Sequence, residues 1–269
     1  MRRALAEDIG SGDITTACII DNGALGKGRI VAREPMIISG TLAARQIFWT
    51  VDTRLEVKLP LKDASRALSG DIVVEVSGDL AALLMAERTA LNFLQRLCGI
   101  ATITRAFVDK VEGSSAVILD TRKTTPGWRF LEKAAVRAGG GRNHRFGLYD
   151  GILIKDNHIA AAGGIAQAMA AAQARLPHTL KVEIEVETLD QLDEAVAAGA
   201  DIVLLDNMDT ETMAEAVRRT GGQVFLEASG GITLDNIGEV AATGVDFISV
   251  GTLTHSARAV DMSMEIEAA

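Results

Sequence analysis

At 269 residues the chain is long enough for one large domain or two modest ones with ample core. Its 36 Asp and Glu against 27 Lys and Arg give a net charge of −9, which argues against nucleic acid as a general partner. Two cysteines, Cys18 and Cys98, are too few and too far apart in sequence for a disulfide framework or a zinc site, and are expected to be reduced, buried thiols of a cytoplasmic protein.

No apolar run approaches the length needed to cross a bilayer, no signal peptide opens the chain, and no membrane partner is expected. Residues 1–20 begin with a helical patch already in progress, as if an upstream segment were absent, and reach a capped turn at Gly10-Ser11-Gly12. From 26 to 78 the texture is β-like, with short runs at 29–33, 36–38, 55–59 and 72–76 and a helix over 42–49. Residues 81–97 form a strong amphipathic helix carrying Arg88; Gly99 is expected to close it, and a second helix to run over 102–111.

After Gly113 the pattern becomes strand, loop, helix, repeated. Apolar strands are predicted at 116–119, 151–154, 182–186, 202–205, 224–226 and 247–250. Helices are predicted at 165–176, 189–198, 211–219 and 234–242, with Thr188 and Gln191 forming a capping box before the second. Parallel strands joined by helices imply a barrel or doubly wound sheet, and six strands instead of eight imply an open, irregular one. The tail alternates Val260, Met262, Met264 and Ile266 with polar residues, so it reads as a strand returning to the first domain. The expected division is an N-terminal α/β sandwich domain from 1–100 plus 257–269, and a barrel from 101–256.

Segment 120–159 holds eight Lys or Arg and four Asp or Glu, so it is net +4 inside an acidic chain. That local reversal suits a small polyanion. Strand ends carry Arg122 and Lys123, then Lys155 with Asn157 and His158, then Asp206 with Asn207. Glu183, Glu185 and Glu187 alternate and share one face, which inside a barrel demands cations or ligand hydroxyls. Ser229-Gly230-Gly231 and Gly251-Thr252 follow the last two strands, where barrels hold phosphate through glycine backbones and a helix N-terminus. His144, between Arg142 and Arg145 after three glycines, is expected to contact ligand, and the four histidines show no metal-ligand spacing. A phosphorylated sugar with a small polycarboxylate fits this inventory. A barrel isomerase or aldolase with a Schiff-base lysine at Lys155 or Lys123 is a weaker fit.

The motifs GDITT (12–16), AERTALNFLQRLCGIAT (86–102), DTRKTTPG (120–127), GGGRNHRFGLYDGILIKDNHI (139–159), EIEVE (183–187), LLDNM (204–208), EASGGI (227–232) and ISVGTLTHS (248–256) together resemble the quinolinate phosphoribosyltransferase family over nearly the whole chain. The resemblance implies an α/β sandwich with an open α/β barrel, working as a homodimer or an assembly of dimers. It implies a decarboxylating pentosyltransferase of NAD biosynthesis, which joins quinolinate to phosphoribosyl pyrophosphate with Mg2+ brought in on the latter. By the same resemblance Arg122, His144, Arg145 and Lys155 clamp the dicarboxylate, and Arg88 is offered across the dimer interface. Lys123, Glu185 and Asp206 surround the ribosyl ring and leaving pyrophosphate, and Ser229, Gly230, Gly231 and Gly251 cradle the 5′-phosphate. A paralogous branch linked to molybdate transport shares TRKTTPG and IKDNH, and Asn143 favours the quinolinate branch. Cys98, Trp128 and Thr252 depart from the usual residues without touching the clamp.

Overall fold

The computed structural model describes residues 1–268. In chain order the first elements are α1 (Arg2–Ile9), α2 (Ile14–Ile19), β1 (Leu25–Ala32), β2 (Met36–Ile37), α3 (Thr41–Val51), β3 (Glu56–Lys58), β4 (Arg66–Ala67), β5 (Ile72–Asp79) and α4 (Leu80–Lys110). There follow β6 (Val117–Leu119), α5 (Arg129–Ala138), β7 (Ile152–Ile154), α6 (Asp156–Ala162), α7 (Ile165–Gln173), β8 (Val182–Val186), α8 (Leu189–Ala197) and β9 (Ile202–Asp206). The last are α9 (Thr210–Thr220), β10 (Phe225–Ser229), α10 (Ile237–Ala242), β11 (Phe247–Ser249), α11 (Thr252–His255) and β12 (Met262–Ala268).

Two compact units emerge. The first comprises Met1–Arg105, Phe130–Gly140 and the chain from Ser256 onward; the second comprises Ala106–Arg129 and Gly141–His255. This division differs from the expected span 101–256 chiefly in giving Phe130–Gly140 to the first unit. It also divides the basic segment, since Lys133 and Arg137 on α5 belong to the first unit and the strand ends to the second. Lys133 and Glu132 are fully buried there, with Arg96 Nη2 3.1 Å from the Glu132 carboxylate.

The first unit is built on an antiparallel sheet in the order β12-β1-β5-β3. The alternation of the tail does return it to this sheet, with Met264 opposite Ile30 and Glu265 opposite Arg29. One face buries Ile30, Val74 and Val76, while the other carries Arg29 in loose, exposed ion pairs with Glu75 and Glu267 that contribute little.

Gly99 does not end a helix: α4 runs without a break through it. A β-carbon at Gly99 would lie 2.0 Å from the Arg258 carbonyl oxygen, so glycine is required there by close approach of two backbones. Gly99→Ala is therefore expected to lower stability by about 1–3 kcal/mol, read as a lower denaturation midpoint with an unchanged m-value. An unchanged midpoint would contradict the close approach.

Cys98 is buried, and its thiol accepts from Ser39 N at 3.2 Å; burial pushes it up to about 12. Cys18 is exposed, contrary to the expectation that both thiols are buried. Among the described residues no helix is long and apolar enough to cross a membrane.

The second unit is a six-stranded parallel sheet in the order β6-β11-β10-β9-β8-β7. Its order leaves β6 and β7 as the two edges, which makes it an open α/β barrel. Val182, Ile184, Val186, Val203, Leu205, Leu226, Ala228 and Ile248 are buried on one face. The alternate positions, Glu183, Glu185, Leu204, Asp206, Glu227, Ser229 and Ser249, line cavities on the other, as a period of two demands. Thr188 Oγ1 accepts from Gln191 N at 3.2 Å, and Gln191 Oε1 accepts from Glu187 N at 2.8 Å, so the predicted cap forms one residue out of register on its return side.

Candidate active site

A cavity of about 360 Å³ opens at the C-terminal ends of the parallel strands. There, α/β barrels gather residues from several strands. Arg122 and Lys123 after β6, Lys155 after β7, Glu185 on β8, Asp206 on β9 and Ser229 on β10 all line it. His144 and Arg145, from the loop between α5 and β7, complete the wall. Eight of the twelve expected site residues thus converge on one space.

The other four lie elsewhere or behind the wall. Arg88 is exposed on α4, in the first unit. Gly230 and Gly231 both have positive φ (96° and 62°), and a β-carbon at Gly230 would collide with Asn207 Oδ1 at 2.1 Å. Gly251 leaves room for the Lys123 side chain, whose Cδ would be 3.1 Å from a β-carbon there. The helix expected to begin at 234 begins at Ile237 instead. Asn236 closes the intervening turn, accepting from Thr233 N (2.8 Å) and donating to Gly231 O (2.9 Å), so a turn and not a helix start follows Ser229–Gly231. Glu187 departs from the expected row of acids, because β8 stops at Val186 and leaves it exposed.

Two residues that hold the wall were not singled out by their sequence pattern. Asp120, fully buried at the end of β6, accepts from His144 N at 2.9 Å and from Asn143 Nδ2 at 2.6 Å. Arg129 donates to Thr124 Oγ1 (2.9 Å), Arg122 O (3.2 Å) and Phe146 O (3.2 Å), tying two loops of the site together. A strand-end acid and one arginine among many carry no distinguishing signal in a single sequence.

Charge in the cavity is arranged in opposed groups. Lys155 Nζ forms a close ion pair with Glu185. Arg145 donates to Gly151 O at 3.1 Å, and its guanidinium is held below the usual range, first by burial and then by the neighbouring Arg122. Two crowded guanidinium groups, one of them partly desolvated, make a place where an added dianion is stabilised.

His144 is fully engaged. Its Nδ1 accepts from Arg145 N at 2.7 Å, so the ring proton resides on Nε2, which lies 3.0 Å from Glu183 Oε2 and 3.8 Å from Glu227 Oε2. Those three side chains are also close enough to hold a metal ion. The tautomer opposes that use, since a metal needs a bare Nε2.

A second cavity, of about 590 Å³, opens at the opposite, N-terminal ends of the strands, near Lys181, Ile202 and Phe247. It is the larger, yet it lacks Arg122, Lys123, Lys155 and Asp206, so the smaller cavity is the candidate site. His144, Arg145 and Glu227 line both and form the partition between them.

Comparison with known proteins agrees with this architecture. Residues 13–98 match the family described as quinolinate phosphoribosyl transferase, N-terminal domain, and residues 100–265 match its C-terminal domain. The chain is 46% identical over 260 residues to the probable nicotinate-nucleotide pyrophosphorylase (carboxylating) of Bacillus subtilis, covering 97% of this chain and 90% of that protein. It is 43% identical over 274 residues to the nicotinate-nucleotide pyrophosphorylase (carboxylating) of Mycobacterium leprae, covering 99% and 95%. The solved nicotinate-nucleotide pyrophosphorylase of Francisella tularensis matches with a TM-score of 0.95 at 43% identity, over 99% of this chain and 94% of that one. With both of its halves accounted for and its open barrel reproduced in a solved relative, the chain belongs to the quinolinate phosphoribosyl transferase family.

Proposed function

We propose that the chain is a decarboxylating quinolinate phosphoribosyltransferase of NAD biosynthesis. It converts quinolinate and phosphoribosyl pyrophosphate to nicotinate mononucleotide, pyrophosphate and carbon dioxide. The observation that carries this reading is the convergence of Arg122, Lys123, Arg145 and Lys155 with Glu185, Asp206 and Ser229 on one cavity of a chain from this family.

In this reading Arg122, Arg145 and Lys155 clamp the two carboxylates, with His144 fixing the Arg145 backbone beside them. Taking up the dianion draws Lys155 away from Glu185 and frees that carboxylate for the ribose. Glu185 and Asp206 then steady positive charge on the ribose carbon as pyrophosphate leaves. Lys123 neutralises the departing group, and Ser229, Gly230, Gly231 and Gly251 hold the 5′-phosphate on backbone amides. The clamp presents the pyridine nitrogen to the ribose carbon, and holding the two reactants together supplies much of the acceleration. Once alkylated, the ring nitrogen is an electron sink for loss of the adjacent carboxylate.

Mg2+ would enter with the phosphoribosyl pyrophosphate substrate, a mode that needs no dedicated protein cage, and would help neutralise the departing pyrophosphate beside Lys123. A homodimer, or an assembly of dimers, supplies Arg88 from a second copy to the dicarboxylate, and the enzyme works in the cytoplasm. Purified protein supplied with quinolinate, phosphoribosyl pyrophosphate and Mg2+ is expected to form nicotinate mononucleotide in amounts equal to the pyrophosphate released. No product from either substrate would overturn the reading.

A further inference from the structure

Decarboxylation requires one proton that the steps above do not supply. When the ring carbon loses carbon dioxide it keeps the electron pair of the broken bond, and a proton must take the vacated place. The clamp cations serve to hold the two carboxylates, and the single ring proton of His144 is directed at Glu183. His144 cannot relay a proton either, because its other nitrogen is occupied by the Arg145 amide at 2.7 Å.

The partition beneath the site holds two acids that no step so far has used. Glu227 is 2% exposed and Glu183 is 6% exposed, yet they come from different strands and approach the same imidazole nitrogen. Each has one buried carboxyl oxygen, Oε1, without a hydrogen-bond partner. One imidazole N–H cannot balance two buried negative charges, so one proton shared by the pair is the inexpensive solution. Burial first, and then the neighbouring Glu183, push the Glu227 carboxyl up to about 8, against the opposing pull of His144 and the Ser249 hydroxyl. Arg145, which lines both cavities beside them, feels the Glu183 carboxylate. Glu227 alone of the two lines both cavities, so it faces the clamp on one side and the lower opening on the other.

We propose that the buried Glu183–Glu227 pair stores the proton that replaces the expelled carboxylate, with Glu227 as the donor and the lower cavity as the route by which water restores it. The inference rests on the transferase reading above. The carbon–carboxylate bond breaks, its electron pair remains on the ring carbon, and that pair takes the proton from the Glu227 hydroxyl. Glu227 is left as a carboxylate beside Glu183 and recovers a proton from water through the lower cavity. Each turnover consumes one proton from water and needs no oxidant or reductant.

The test is the single-turnover rate of carbon dioxide release by the full chain, measured from neutral to alkaline pH alongside pyrophosphate release. Wild type that releases neither product refutes the transferase reading itself. With both products formed, the rate is expected to fall on the alkaline side with a midpoint near 8, where Glu227 loses its proton. Glu227→Gln is expected to slow carbon dioxide release by about 100-fold or more and to abolish that limb, with KM for quinolinate little changed. Glu183→Gln removes the neighbouring negative charge and is expected to move the limb to lower pH. An alkaline limb unmoved in E227Q, whatever its rate, would assign the pair a structural role and overturn the proposal. Should E227Q fail to fold, a limb unmoved in E183Q overturns it on its own.

Discussion

Replacing Arg145 with alanine is expected to lower kcat/KM for quinolinate by about 100-fold or more while leaving the fold intact. A hydrogen bond to a charged group contributes about 1.5–3 kcal/mol, and a guanidinium can form two in parallel on one carboxylate. Losing roughly 3 kcal/mol of transition-state stabilisation corresponds to about two decades in rate. The stability side runs the other way. Arg145 is crowded by Arg122 and partly desolvated, so its charge is a burden in the empty site. Only its bond to Gly151 O is lost on truncation, and the melting temperature should scarcely change. Arg145→Lys keeps the charge but not the planar fork, and is expected to recover a minor part of the loss. Kinetics of R145A within about threefold of wild type would exclude Arg145 from the clamp.

Asp120→Ala is expected to act on stability and on the site together. Asp120 is fully buried and accepts from His144 N and Asn143 Nδ2. Losing these two charge-assisted bonds to part-buried donors costs about 3–5 kcal/mol. The same segment carries Arg145, so the surviving folded fraction should show a raised KM for quinolinate. Denaturant unfolding and steady-state kinetics on one preparation check both arms. Asp120→Asn keeps one acceptor at the same shape and should fall between wild type and alanine. A D120A variant with unaltered stability would contradict the role of Asp120 as the anchor of this loop.

Much of the second unit was legible because parallel strands covered by helices write themselves as apolar runs. The clearest case is β8, whose Val182, Ile184 and Val186 alternate with acids and whose bounds match the expected ones. By contrast, β10 was expected to end at 226 and continues to Ser229, because Glu227 and Ser229 face the lumen and interrupt the apolar signal. Site chemistry therefore masked the strand that bears it. The break expected at Gly99 shows the converse limit: a glycine required by tertiary approach reads locally as a stop. Charge along the sequence also exceeded the charge that lines the cavity, since Lys133 and Arg137 of the basic segment are not among its lining residues. The strand-end cations were legible because their position after an apolar run fixes where they emerge. The partners of His144 were not, since Glu183 and Glu227 are 44 positions apart and meet only across the sheet.

The dicarboxylate clamp is tested most directly by a crystal structure of the protein with quinolinate bound. Arg122, Arg145 and Lys155 are expected to donate to its two carboxylates at about 2.7–2.9 Å, with Lys155 withdrawn from Glu185. Quinolinate seated elsewhere, or seated in this cavity with those three side chains turned away from both carboxylates, would contradict the account.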